Sequence, residues 1–142
     1  MIKITSNVFL IFIFCSYIYV AFISRTMNSN RYRIRLILAG ISIIFAYIIE
    51  YSHWYNMYFG HFIILGLLPI IYLAYYEILR RIMKPWIGNY PYAPHWDKIG
   101  KKIKGSGYPK NRIVTVYDKV FGIVMFFIPI LTFVILSIFL DK

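Results

Sequence analysis

Residues 120–140 read VFGIVMFFIPILTFVILSIFL, an uninterrupted run without a single charged side chain. A helix that crosses a hydrocarbon core about 30 Å thick needs roughly 20 apolar residues, so this run predicts a transmembrane helix. Residues 57–76 form a second run of this length, and shorter runs at 8–23 and 34–49 approach it. These four runs predict an integral membrane protein.

The composition of the whole chain supports the same conclusion. Its 142 residues are 61% hydrophobic and 15% charged, whereas a soluble domain is about half apolar and about a quarter charged. The high apolar content excludes an intrinsically disordered chain. The single cysteine excludes a disulfide scaffold.

The predicted fold is an all-α membrane domain over 1–142 with four transmembrane helices, placed at 5–24, 34–53, 57–77 and 119–140. An alternative for the first run is a cleaved signal peptide, but residues 20–24 match a cleavage site poorly, so a retained helix is expected. Helices two and three are predicted to form a tight hairpin. Small residues would allow their backbones to approach closely, at Ala39, Gly40, Ser42, Ala46, Gly60 and Gly66.

The net positive charge comes from two loops. Residues 24–35 contain four arginines and no acid, and residues 77–119 contain ten Lys and Arg against three acids, whereas 50–56 contain no Lys or Arg. The positive-inside bias therefore predicts that 24–35 and 78–119 are cytoplasmic and that both termini and the short loop lie outside. The abundance of Ile, Lys, Tyr and Asn is typical of AT-rich genomes, as in many bacteria and some organelles, and we expect a bacterial inner membrane.

The long loop at 78–119 is predicted to contain a short interfacial helix at 95–104. Trp96, Ile99 and Ile103 recur at helical spacing, and lysines lie between them. Such a helix would lie on the anionic cytoplasmic leaflet with Trp96 inserted. The interleaved apolar residues favour a bilayer over a nucleic acid, so anionic lipid headgroups are the expected partner. The predicted headgroup contacts are Arg31, Arg33, Arg35, Trp96, Lys98, Lys101, Lys102, Lys104, Lys110 and Arg112.

Glu50 and His53 are the sharpest candidates for chemistry, because residues three apart share one face of a helix. With His61 they offer three ligands for a metal ion. The alternative is that all three lie in the outer headgroup layer within a belt of aromatic residues. One incomplete motif is weak support, so neither a metal nor a cofactor is expected.

His95 and Asp97 are a second candidate, as an acid–base pair, although a helix start also explains Asp97. No catalytic residue is assigned. Residues of the outer hairpin and the cytoplasmic loop are instead predicted to bind a partner, namely Trp54, Tyr55, Trp86, Tyr90, Tyr92, His95 and Asp97.

These features predict a non-enzymatic protein that binds another membrane protein, either as an accessory subunit or as an immunity protein against a pore-forming toxin. Immunity proteins of pore-forming bacteriocins are similar in being short, basic, Tyr- and Ile-rich helical membrane proteins. That likeness is architectural, and it carries no residue roles to this chain. The alternatives are a membrane enzyme or metal-binding protein using Glu50, His53 and His61, and an oligomeric channel or transporter.

Overall fold

The computed structural model of the chain describes residues 2–23, 29–55, 59–88, 97–103 and 111–140, without the side chains of 2–6, 22–23 and 29–30. Four long helices make up most of this part of the chain, as predicted for an all-α protein. They are α1 (Ile2–Ile18), which continues as a π-helical turn (Tyr19–Ile23), α2 (Ser29–Tyr51), α3 (His61–Ile87) and α4 (Val116–Leu140).

Three of the helices are long and apolar enough to cross a membrane, namely α2, α3 and α4. The apolar stretch Asn7–Ala21, which runs from α1 into the π-helical turn, is shorter, so a fourth span stays a prediction. Helix α3 extends beyond the predicted boundary at 77, to Ile87. The prediction followed the end of the apolar run, but the more polar residues after it are also helical. Glu77 and Arg80 form an ion pair of 3.1 Å one turn apart within this extension.

Helices α2 and α3 form the predicted hairpin, and small residues line their contact. Ala39, Ser42 and Ala46 recur on one face of α2, and each is fully buried. A Cβ atom added to Gly66 of α3 would lie 2.9 Å from the Ser42 carbonyl oxygen, so only glycine fits here. The prediction was wrong for Gly40, which faces open space on the other side of α2.

Two apolar clusters lie at opposite ends of the bundle. We call the end that contains the α2–α3 turn the hairpin end, and the end where α2 and α4 begin the basic end. The hairpin-end cluster joins α1, α2 and α3 through Ile13, Ala46, Ile49 and Phe62. The basic-end cluster is larger and reaches α4, where the Tyr76 and Phe121 rings meet edge to face at 5.6 Å.

Helix α4 packs through a single face. Its buried residues fall on one side, at Asp118, Phe121, Gly122, Met125 and Pro129. Only 11% of its most apolar stretch is buried inside the bundle, compared with 44% for α3. Most of the surface of α4 therefore faces outward.

The predicted interfacial helix at 95–104 is wrong for its described residues, 97–103. Gly100 adopts a left-handed turn (φ 85°), and an antiparallel bridge joins Lys102 to Ile113. The Gly100 amide donates to the Val114 carbonyl at 2.8 Å, and the Val114 amide donates to the Lys101 carbonyl at 2.9 Å. The backbone groups of this segment thus bond to a distant segment, and helical spacing of apolar residues does not reveal such a partner.

Candidate functional site

At the hairpin end, the Glu50 carboxylate caps the N-terminus of α3. It is 6% exposed, and its two oxygens accept hydrogen bonds from the Gly60 amide at 2.7 Å and the Phe62 amide at 3.0 Å. The first amides of a helix have no partner within the helix and carry partial positive charge, so they favour a carboxylate at this position. Glu50 therefore fastens the end of α2 to the start of α3.

The metal-site candidates do not come together as the sequence spacing suggests. Helix α2 ends at Tyr51, and His53 lies in a left-handed turn (φ 49°), so it does not share a helical face with Glu50. His53 is exposed and His61 is half-buried. Among the described residues, which include all three candidates, no group of three His, Cys, Asp or Glu side chains is placed to hold a metal ion.

Aromatic side chains surround the hairpin. The Tyr55 hydroxyl donates a 2.6 Å hydrogen bond to the Asn7 side-chain oxygen, and the Trp54 ring lies 6.0 Å from that of Phe9. Both residues were predicted to bind a partner, but the structure places them half-buried against α1. Their contacts hold the first helix to the hairpin.

At the basic end, Arg112 joins the end of α3 to the start of α4. Its guanidinium donates to the Ile87 carbonyl at 3.1 Å and to the Asp118 carboxylate at 2.6 Å. The other Asp118 oxygen accepts from the Thr115 amide and from the Thr115 hydroxyl, each at 2.9 Å. Asp118 is fully buried, so the ion pair is shielded from water.

Asp118 was not identified as a functional residue from the sequence, although the sequence contains a pattern that indicates its role at the start of α4. Thr115 and Asp118 are three residues apart and precede the apolar run of α4. The Asp118 amide also donates a hydrogen bond to the Thr115 hydroxyl oxygen at 3.3 Å, which completes the reciprocal pattern of a capping box. The spacing therefore predicts the start of α4 at Val116.

The predicted lipid-headgroup contacts divide into three groups. Exposed side chains remain compatible with that role, at Arg31, Arg33, Lys98, Lys101 and Lys102. The prediction was wrong for two arginines: Arg35 is 2% exposed, and the Arg112 side chain is 14% exposed and bound to Asp118. Three further residues lie outside the described part of the chain, at Trp96, Lys104 and Lys110.

The burial of Arg35 has a simple geometric cause. It lies four residues before Ala39 and seven before Ser42, so it continues the stripe of α2 that packs on α3. Tyr72 of α3 is buried in the same interior, and its hydroxyl donates to the Ala21 carbonyl in the π-helical turn at 3.1 Å. Arg35 is thus part of the bundle interior, not of a surface that meets lipid headgroups.

The predicted partner-binding residues of the long loop are only partly described. Tyr90, Tyr92 and His95 lie outside the described residues. Asp97 pairs with Lys101, four residues away. Trp86 is 56% exposed at the end of α3.

A partly open apolar crevice of about 240 Å³ separates α1 from α4. Its floor is formed by Leu65 and Leu68 of α3, one to two turns from the hairpin end. Its walls come from both flanking helices, at Ile13, Phe14, Tyr17, Ile130 and Phe133.

Comparisons of the chain with protein-family models, with curated proteins and with solved structures found no match.

Proposed function

We propose that the chain is a four-span membrane protein whose first span is α1. The 17-residue α-helix extends about 26 Å at 1.5 Å per residue, and the 5-residue π-helical turn that continues it brings the segment close to the thickness of a hydrocarbon core, about 30 Å. The charge distribution orients the bundle, with 24–35 and 78–119 in the cytoplasm and the hairpin end outside. A bacterial inner membrane suits this arrangement.

We further propose that the protein works by binding another membrane protein within the bilayer. The crevice between α1 and α4 carries this proposal, because its side walls offer a partner helix more contact than a convex helix surface does. Helices associate in lipid mainly through such close packing, since burial from water contributes nothing there. The aromatic wall residues Phe14 and Phe133 would pack against the inserted side chains.

The hydrogen bonding of the two buried acidic side chains, Glu50 and Asp118, favours this function over an enzymatic one. The Glu50 carboxylate accepts from the first amides of α3, and Asp118 accepts from the first turn of α4 and from Arg112. Both acids thus serve helix ends. An accessory subunit and an immunity protein are two forms of the same proposal, since each works through one membrane partner.

Site-specific photocrosslinking in the native cells tests the proposal. A photoreactive amino acid is placed at Phe14, in the wall of the crevice, and in a separate variant at Ile44 on α2. The two positions are matched, with exposures of 59% and 58%, but Ile44 does not line the crevice. We expect a discrete crosslinked product of defined mass from Phe14 and only lipid adducts from Ile44.

The proposal fails if Phe14 gives no protein adduct or if Ile44 gives the same adduct. Identification of the captured protein separates the two forms: a resident membrane complex indicates an accessory subunit. A pore-forming toxin, captured only when it is added, indicates an immunity protein.

A further inference from the structure

Two large aromatic side chains stack at the outer surface of the basic end. The rings of Trp86, at the end of α3, and Tyr117, at the start of α4, lie 6.2 Å apart and within 16° of parallel. Both are exposed, Trp86 by 56% and Tyr117 by 49%. The pair therefore presents an open aromatic surface instead of filling the core.

The aromatic pair ends an apolar surface that continues from both helices. On α3, Ile78 and Ile82 precede Trp86 at intervals of four residues, and both are more than half exposed. On α4, Val120 and Ile123 follow Tyr117 at intervals of three, and both are also exposed. This surface is continuous with the face that the apolar helices turn toward lipid.

Exposed cations lie in the same last two turns of α3. Arg81 and Lys84 are both exposed. Arg81 flanks the apolar stripe, three residues after Ile78, and Lys84 lies three residues further on, on the side of α3 away from Trp86. Trp and Tyr are enriched where a bilayer meets water, since one part of each ring system is apolar and another is polar. Lys and Arg at this depth are attracted to an anionic leaflet. The charges and the aromatic surface thus both favour contact with an anionic bilayer surface.

The length of α3 independently supports a position at the membrane interface. Its 27 residues extend about 40 Å, close to the thickness of a bilayer with its headgroup layers. Just before α3 begins, Tyr51 and Phe59 form another exposed aromatic pair, 5.7 Å apart. Two aromatic pairs are therefore separated by about the distance between the two headgroup layers.

We propose that Trp86 and Tyr117, together with Arg81 and Lys84 at the same depth of α3, form the surface that contacts the headgroups of anionic phospholipids at the basic end. The aromatic pair lies at the boundary between acyl chains and headgroups, and the two cations contact the phosphates. This inference rests on the membrane location proposed above, but it does not depend on a protein partner.

Depth-dependent fluorescence quenching tests the position of Trp86. The variant W54F/W96F keeps Trp86 as the only tryptophan, and it is reconstituted into vesicles of phosphatidylcholine and phosphatidylglycerol at a ratio of about 3:1. Spin labels are carried either on the lipid headgroup or deep in the acyl chain. We expect the headgroup label to quench Trp86 at least about twofold more strongly than the deep label.

The matched control places a single tryptophan at Phe127 in a background that lacks the native three. Phe127 is 53% exposed and lies about 15 Å along α4 from Tyr117. We expect the deep label to quench this tryptophan more strongly. If neither tryptophan is quenched by lipid labels, the membrane location itself fails. If only the control is quenched, and Trp86 responds to aqueous iodide, the surface is open to a protein partner and the headgroup site is refuted.

The preference for anionic lipid is tested by moving the headgroup label. With the label on phosphatidylglycerol, Trp86 should be quenched at least about twofold more than with the same amount of label on phosphatidylcholine. The double substitution R81Q/K84Q should abolish this difference while the depth profile persists. Equal quenching by the two labelled lipids in the unsubstituted protein would overturn the anionic preference.

Discussion

Replacing Asp118 with alanine removes the fully buried partner of Arg112 from the junction of α3 and α4. The substitution eliminates the 2.6 Å ion pair and the two hydrogen bonds from Thr115. Removing one member of a buried ion pair costs about 3–5 kcal/mol. Arg112 keeps its bond to the Ile87 carbonyl and is 14% exposed, which reduces the cost, whereas the lost cap adds about 1 kcal/mol. We expect the free energy of unfolding to fall by about 3–4 kcal/mol.

The exposed ion pair between Asp97 and Lys101 provides the matched control. Its lysine side chain is 57% exposed, so D97A should change stability by less than about 1 kcal/mol. Both variants are compared with the unsubstituted protein by reversible unfolding in mixed micelles, followed by circular dichroism. D118N, which keeps an oxygen acceptor but loses the charge, should fall between the other two. A loss below about 1 kcal/mol for D118A would refute the proposed role of this junction.

Three further substitutions test other contacts by the same unfolding assay. E50A should cost about 2–3 kcal/mol, because two buried amides of α3 lose a charged acceptor; a neutral effect would contradict the capping role. G66L should destabilise by about 3 kcal/mol or prevent folding, because its side chain meets backbone at Ser42, whereas G40L, which meets open space, should be tolerated. Y72F should cost about 1 kcal/mol through loss of the bond to the Ala21 carbonyl, and an unchanged unfolding midpoint would count against that bond.

The helices were predictable because their signal is local. An apolar run such as 120–140 has few alternatives to a membrane helix, since every backbone polar group must be satisfied within the segment. The packing face of α2 was also readable, since Ala39, Ser42 and Ala46 recur at helical spacing. The same spacing includes Arg35. Because basic residues near the end of a membrane helix often extend toward the headgroups, Arg35 was predicted to do so, and its position in the bundle interior was missed.

The candidate sites were less predictable because they depend on contacts between distant segments. Glu50 bonds to amides ten and twelve residues away, and only the arrangement of two helices brings them together. The bridge between Lys102 and Ile113 likewise needs a partner segment that helical spacing cannot reveal. The capping box at Thr115 and Asp118 is the exception, because its spacing is visible in the sequence.

Cysteine accessibility in intact cells tests most directly whether the bundle crosses a membrane with its basic segments on one side. In a C15S background, single cysteines replace His53, Arg33 or Lys102, all of which are exposed. A membrane-impermeant maleimide should label H53C in intact cells, and R33C and K102C only after permeabilisation. Labelling of R33C and K102C from opposite sides, or recovery of the protein in the aqueous fraction without detergent, would contradict this topology.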